Sequence, residues 1–268
     1  MPLRSMLAGL AVACALAVAG PAGAVTFNYD FTGGDHNSSD FSLTGNAFWA
    51  TDGASIFAPF PNRLRLTSNG GGQNGDAWLN TTRVDGSQAW NAQFTFQITF
   101  GTGSGADGLG FLLQENGTSL LTGWNGGGGL SNPSLAVSID TFDNGGEGDF
   151  HLEVLLDGVQ VGGNINLLGI GNSFDDVYQV VMGYDGAGTL GVNVVNTNGG
   201  ANTGTQNFAA DLTALNNAVL GWAASTGGFA ENHDIRTFGG TFAIPEPGTA
   251  LLLAVGLIGL AHGGRRRS

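Results

Sequence analysis

Along the middle of the chain, apolar side chains recur at every second position. Phe94, Phe96, Ile98 and Phe100 make one such run, and Tyr178, Val180, Met182 and Tyr184 make another. The second run stops at Asp185-Gly186-Ala187-Gly188, and the alternation resumes with Leu190, Val192 and Val194. Successive side chains of a strand point to opposite faces, so a period of two predicts half-buried strands, and the intervening turn predicts a hairpin. Shorter apolar runs, such as Leu64-Arg65-Leu66 and Leu109 to Leu113, are separated by clusters of glycine, asparagine and aspartate that read as turns. The body of the chain shows neither a long helical period nor a repeat of about 20 to 50 residues, which argues against solenoids and propellers. The pattern predicts an all-β chain, an antiparallel sandwich of many short strands. A content of 48 glycines would also fit a disordered chain, but the aromatic and β-branched residues are too regularly placed for that.

The two ends depart from this pattern. Residues 1–24 carry Arg4, an apolar run and the small residues Ala22-Gly23-Ala24, the order of a secretory signal peptide. Its Cys14 is the only cysteine, so the mature chain is expected to have no disulfide, thiolate metal site or cysteine nucleophile. At the other end, residues 244–268 hold Pro245-Glu246-Pro247, an apolar stretch from Ala250 to Ala261 and Arg265-Arg266-Arg267. That stretch falls short of the roughly 17 to 25 residues of a stable spanning helix, and the arginines would hold the tail on the cytoplasmic side. The three-part order resembles the PEP-CTERM sorting signal of Gram-negative bacteria. The resemblance implies recognition by an exosortase, a transient anchor in the inner membrane, and delivery to the cell surface or extracellular matrix, often alongside exopolysaccharide production.

Residues 25–243 then make one β domain. Of the eight basic residues only Arg63, Arg65, Arg83 and Arg236 lie between Val25 and Pro247, while all 21 acidic residues do, so that segment carries 4 − 21 = −17. Such a surface repels nucleic acid. It fits an exported protein in a cation-containing medium without identifying a ligand.

Gly103-Ser104-Gly105-Ala106-Asp107-Gly108 matches G-x-G-x-x-G, but a dinucleotide fingerprint needs a helix after it, and LGFLLQ reads as a strand. The richest stretch is SIDTFDNGGEGDFH, from Ser138 to His151. If Ala136 to Phe142 is a strand, Asp140 and Phe142 share a face and the chain then loops through glycines to Asp149. Asp140, the Phe142 carbonyl, Asn144 and Asp149 form the mixture of oxygen ligands that calcium takes. An EF-hand is excluded because His151 stands where its twelfth-position glutamate belongs. Spacing alone leaves an ion-free polar loop as an equal alternative. A jelly-roll glycosidase of the laminarinase type would need a carboxylate where Ser138 stands, and serine can neither form the glycosyl-enzyme ester nor act as the acid.

The whole body resembles the L-type (legume-type) lectin domain. FNYDF, FSLTGNAFW, RLRLTS, GDAWLN and FTFQITF follow that family's opening strands. Ala106 to Phe111 resembles its ADG-containing strand end, and Gly126 to Leu130 its glycine loop. Ala136 to Asn144 resembles its metal strand, and Gly221 to Thr237 its closing loop and strand. The resemblance implies a concanavalin-like jelly roll with calcium on Asp140, Phe142, Asn144 and Asp149. It implies saccharide contacts from Asp107, after a peptide bond that is usually cis, and from Asn144. Main-chain N–H groups near Gly128 and near Gly227 or Gly228 complete the polar set, and Phe142, Trp124 or Phe229 supplies an apolar platform.

Two departures stand out. Plant members carry a glutamate at Ser138 that binds a transition metal together with a histidine, so a second metal is in doubt. His151 is either a displaced counterpart of that histidine or an ordinary strand residue. The loops around Gly126 and Gly227 match no known sugar specificity. Trp49, Trp78, Trp90 and Trp222 are expected in the core or on a sheet face, His233 facing solvent or hydrogen-bonding across a sheet edge, and Arg63 and Arg65 neutralising part of the acidic surface. The functional expectation is an exported, non-enzymatic, calcium-dependent carbohydrate-binding protein whose partner is exopolysaccharide. The alternative is a structural matrix protein on the same fold.

Overall fold

The computed structural model describes residues 23–33, 38–50, 62–99, 105–118, 132–171 and 176–245. In chain order the strands are β1 (Ala24–Asp30), β2 (Phe41–Gly45), β3 (Phe48–Ala50), β4 (Arg63–Thr67), β5 (Asn74–Leu79) and β6 (Trp90–Thr99). They continue with β7 (Gly108–Gln114), β8 (Ser134–Asp140), β9 (His151–Leu156), β10 (Val159–Gln160) and β11 (Ile165–Asn166). The last are β12 (Val177–Tyr184), β13 (Thr189–Asn196), β14 (Gln206–Ala209), β15 (Val219–Ser225) and β16 (Asn232–Ala243).

The strands form two antiparallel eight-stranded sheets. One runs β14-β13-β12-β6-β16-β4-β3, with β1 also paired to β16; the other runs β10-β9-β8-β7-β15-β5-β2, with β11 also on β9. The alternation read from the sequence is realised in both. Phe94, Phe96 and Ile98 of β6 and Tyr178, Val180, Met182 and Tyr184 of β12 face a single buried core, opposite Phe111 of β7 and Val137 and Ile139 of β8. The predicted hairpin is β12–β13, closing with Tyr184 opposite Leu190. LGFLLQ lies in β7, leaving no helix for a nucleotide fingerprint.

Trp222 of β15 is the centre of the core. Its ring lies 5.0 Å from that of Phe238 and 6.1–6.4 Å from those of Phe31, Phe41, Phe94 and Phe111. Burying each such ring contributes about 1.5–3 kcal/mol, which holds the two sheets face to face without a disulfide. A smaller cluster, Trp78, Leu112, Ala136, Leu155, Val219 and Ala223, occupies the outer side of the second sheet.

Three expectations are corrected. Arg63 and Arg65 are buried on the outer side of the first sheet, where Arg65 grips Asp234 through Nε at 2.8 Å and Nη2 at 2.7 Å. His233 is buried rather than at solvent. The strand expected over Ala136 to Phe142 ends at Asp140, because the Asp140 carboxylate accepts the Phe142 N–H at 2.8 Å; the Thr141 N–H still reaches the Asp107 carbonyl, one place beyond the Gly108–Asp140 pair. This local side-chain bond is the usual competitor of a sheet ladder.

Candidate functional site

The order β8-β7-β15 positions the site. Antiparallel neighbours bring the start of one strand beside the ends of the next, so Gly108 of β7 pairs with both Asp140 of β8 and Ser225 of β15. Three segments distant in sequence, 105–107, 141–149 and 226–231, therefore meet at one end of the sandwich.

Asp107 lies at their centre. Its peptide bond with Ala106 is cis. Its N–H donates to the Ser225 carbonyl at 2.9 Å, its own carbonyl accepts from Thr141 at 3.1 Å, and its carboxylate accepts from Ser225 Oγ at 3.0 Å. Gly227 packs against that carboxylate so closely that a Cβ there would lie 2.9 Å from Asp107 Oδ1. Burial pushes the Asp107 carboxyl above the ordinary carboxylate range; the Ser225 hydroxyl and the His233 side chain act the other way, and Glu231 adds to the rise. A carboxylate with one oxygen anchored and little water around it is suited to accepting hydrogen bonds from ligand hydroxyls.

The segment after β8 is folded by its own polar groups. Asp149 Oδ1 accepts the Asp143 N–H at 3.1 Å, and Glu147 accepts the Asn144 N–H at 3.1 Å. Asn144 Nδ2 reaches the Phe142 carbonyl at 3.3 Å. The Asp143 carboxylate turns back onto the N–H groups of Gly145 and Gly146, which hold it below the usual carboxylate range. It therefore organises the loop instead of facing Asp140 as a second acid. Gly145, Gly146 and Gly148 all have positive φ, a conformation that favours glycine.

The donor set fits a hard cation. Asp140 is pushed up to about 6, chiefly by burial and further by the charges of Glu147 and Asp107, against the opposing Phe142 N–H and His151. A cation would relieve that crowding of negative charge. Among the described residues no three His, Cys, Asp or Glu side chains cluster as a metal site. The fit consequently rests on the mixed oxygen set of Asp140, Asp149, the Phe142 carbonyl and the Asn144 amide, of the kind calcium prefers. An ion would take the Asn144 amide by its oxygen, whereas here Nδ2 donates to the Phe142 carbonyl. For a second, softer metal the donors are poorer. Ser138 Oγ is buried with no partner among the described residues, and His151 opens β9 with Nδ1 on the Gly148 carbonyl at 2.8 Å.

On two of the three segments that meet at this end, the Phe142 and Phe229 rings stand 5.7 Å apart, and Phe229 is 42% exposed. Together they offer an apolar surface next to the polar groups. Gly228 borders open space. Gly128 and Trp124 lie outside the described residues, as do residues 1–22 and 246–268. Sequence reasoning did not single out Ser225, Thr141, Glu147 or Glu231, since each is an ordinary polar residue until pairing brings it to Asp107 or Asn144.

A PEP-CTERM protein-sorting motif matches residues 243–267. The chain is 27% identical over 258 residues, 87% of its length, to protein ERGIC-53 of Homo sapiens, and 27% identical over 254 residues to the Rattus norvegicus protein. It spans under half the length of these curated relatives, 46% and 43%. Among solved structures it is similar to basic winged bean lectin crystallised with Tn-antigen, at a TM-score of 0.67 and 22% identity over 84% of this chain and 100% of that one. It is also similar to peanut lectin, at a TM-score of 0.63 and 20% identity over 82% and 97%. The sandwich is therefore the concanavalin-like jelly roll expected from the sequence. The chain thus has the fold of the legume lectins, is similar in sequence to protein ERGIC-53, and carries a C-terminal PEP-CTERM sorting motif.

Proposed function

We propose that this protein is an exported, calcium-dependent carbohydrate-binding protein without enzymatic activity, directed by its C-terminal segment to an exosortase and to the surface of a Gram-negative cell. The observation that carries the reading is the direct link between Asp107 and the loop after β8, the Thr141 N–H donating to the Asp107 carbonyl at 3.1 Å. An ion held by Asp140, Phe142, Asn144 and Asp149 would fix that loop and, through it, the anchoring carboxylate. Asp107 and Asn144 then accept and donate hydrogen bonds to sugar hydroxyls. Main-chain N–H groups at Gly227 or Gly228 approach the ligand closely, and Phe142 with Phe229 covers its C–H face.

The ligand class is a saccharide of the cell surface or extracellular polysaccharide. Arg63, Arg65 and Arg236 are buried in contacts within the first sheet, so the acidic exterior suits a neutral ligand better than an anionic one. Hydrolysis is disfavoured because Ser138 is not an acid and Asp143 is folded into its own loop. The test is a glycan array probed in calcium with the wild-type domain and Asp107→Ala. Loss of a wild-type signal in the variant, with calcium binding and circular dichroism retained, is expected; equal signals would rule out this site.

A further inference from the structure

Glu231 is completely buried, yet it belongs to neither the cation set nor the saccharide contacts described above. Its Oε1 accepts from the Thr141 hydroxyl and lies 3.0 Å from His233 Nε2, while its Oε2 has no hydrogen-bond partner among the described residues. On the far side of the imidazole, His233 Nδ1 is 2.6 Å from Thr67 Oγ1 at the end of β4. A buried carboxylate with one oxygen unpaired is costly, and nothing in the apolar core between the sheets asks for it. Such a violation is expected where function imposes a local arrangement. Its location is informative, because Thr141 is the first residue after Asp140 and its N–H holds the Asp107 carbonyl at 3.1 Å. Glu231 itself follows the Gly227-Gly228-Phe229-Ala230 turn and precedes β16. All three segments of the site are thus tied to one carboxylate.

We propose that Glu231, backed by His233 and Thr67, is a positioning residue: by gripping Thr141 it sets the spacing between the cation loop and Asp107. It touches neither ion nor ligand and acts through Thr141. The inference rests on the calcium-binding reading given above. The rival is a purely structural role, which would alter the melting temperature and leave the calcium affinity of the folded protein untouched.

The experiment is calorimetric titration of the whole domain with calcium chloride, well below the melting temperature, with folding of each variant checked by circular dichroism. Thr141→Val removes the hydroxyl at nearly constant volume, Glu231→Leu removes the acceptor, and Glu231→Gln retains an acceptor at Oε1. Thr141→Val and Glu231→Leu should each weaken calcium binding about tenfold, the loss expected for one hydrogen bond to a charged group. The double variant should be no weaker than either single one, because both remove the same link. Glu231→Gln should stay within about threefold of wild type if the retained acceptor is what matters. Wild-type affinity in Thr141→Val and Glu231→Leu, or losses that multiply in the double variant, would overturn the inference while leaving the calcium reading intact. A wild-type protein that binds no calcium would overturn both. Should Glu231→Leu fail to fold, Thr141→Val decides alone.

Discussion

Gly227→Ala perturbs the anchoring carboxylate without touching its chemistry. Gly227 is not among the glycines with positive φ, so alanine is compatible with the backbone there. The effect must come from contact: the new Cβ would lie 2.9 Å from Asp107 Oδ1, 3.5 Å from Oδ2 and 3.6 Å from Cγ. The carboxylate cannot absorb this by a small tilt, since its other oxygen is held by Ser225 Oγ at 3.0 Å. It must rotate away, losing that bond and its aim into the site. A hydrogen bond to a charged group is worth about 1.5–3 kcal/mol, so saccharide affinity should fall by at least about tenfold. The fold should persist: even full loss of the Ser225 hydrogen bond would cost about 1.5–3 kcal/mol, or roughly 3–12 °C of melting temperature for a domain of this size. The assay is calorimetric or interferometric binding of the strongest glycan found for the wild type, alongside thermal melts. Gly228→Ala controls for stability, because a Cβ there meets nothing within 4 Å. Unchanged affinity in Gly227→Ala would refute the role of Asp107 as ligand anchor.

Two further predictions concern stability. Asp234→Ala leaves the buried guanidinium groups of Arg65 and Arg63 without their shared carboxylate, to which they lie at 2.7 and 3.1 Å; the cost should be about 3–5 kcal/mol, seen as a lower urea midpoint, and a shift under about 1 kcal/mol would contradict the pairing. Tyr29 and Tyr178 are both pushed up to about 12, first by burial and then by Asp40 and Asp176 respectively. Between pH 10 and 12 the unfolded chain therefore binds fewer protons than the folded one, and stability complete below pH 10 should be lost as the pH rises towards 12. Urea midpoints measured across that range should fall for the wild type and fall less for a Tyr29→Phe, Tyr178→Phe double variant. Parallel slopes would contradict the shifts.

The architecture was legible because it is written in local alternation. Phe94, Phe96 and Ile98, or Tyr178 to Tyr184, declare a strand and its inner face without reference to any partner, and the glycine turn at Gly186 declares the hairpin. What surrounds the outer face is a long-range property. Arg65 alternates with Leu64 and Leu66 as a surface residue would, yet its partner Asp234 is 169 positions away. His233 was misread for the same reason, its contacts being Thr67 and Glu231 at the meeting of distant segments. At the site itself, the oxygen-rich composition of residues 140–149 was visible. The end of β8 at Asp140 was not, because it depends on a side chain taking the Phe142 N–H from the ladder. Nor could spacing reveal that Asp143 is used up by its own loop.

Calcium dependence of saccharide binding tests the central claim most directly. The mature wild-type domain would be applied to one glycan array three times: in calcium, after chelation, and after calcium is restored. The account predicts a defined set of bound glycans that disappears on chelation and returns with the ion. Binding that survives chelation, or no glycan bound in calcium, would contradict it.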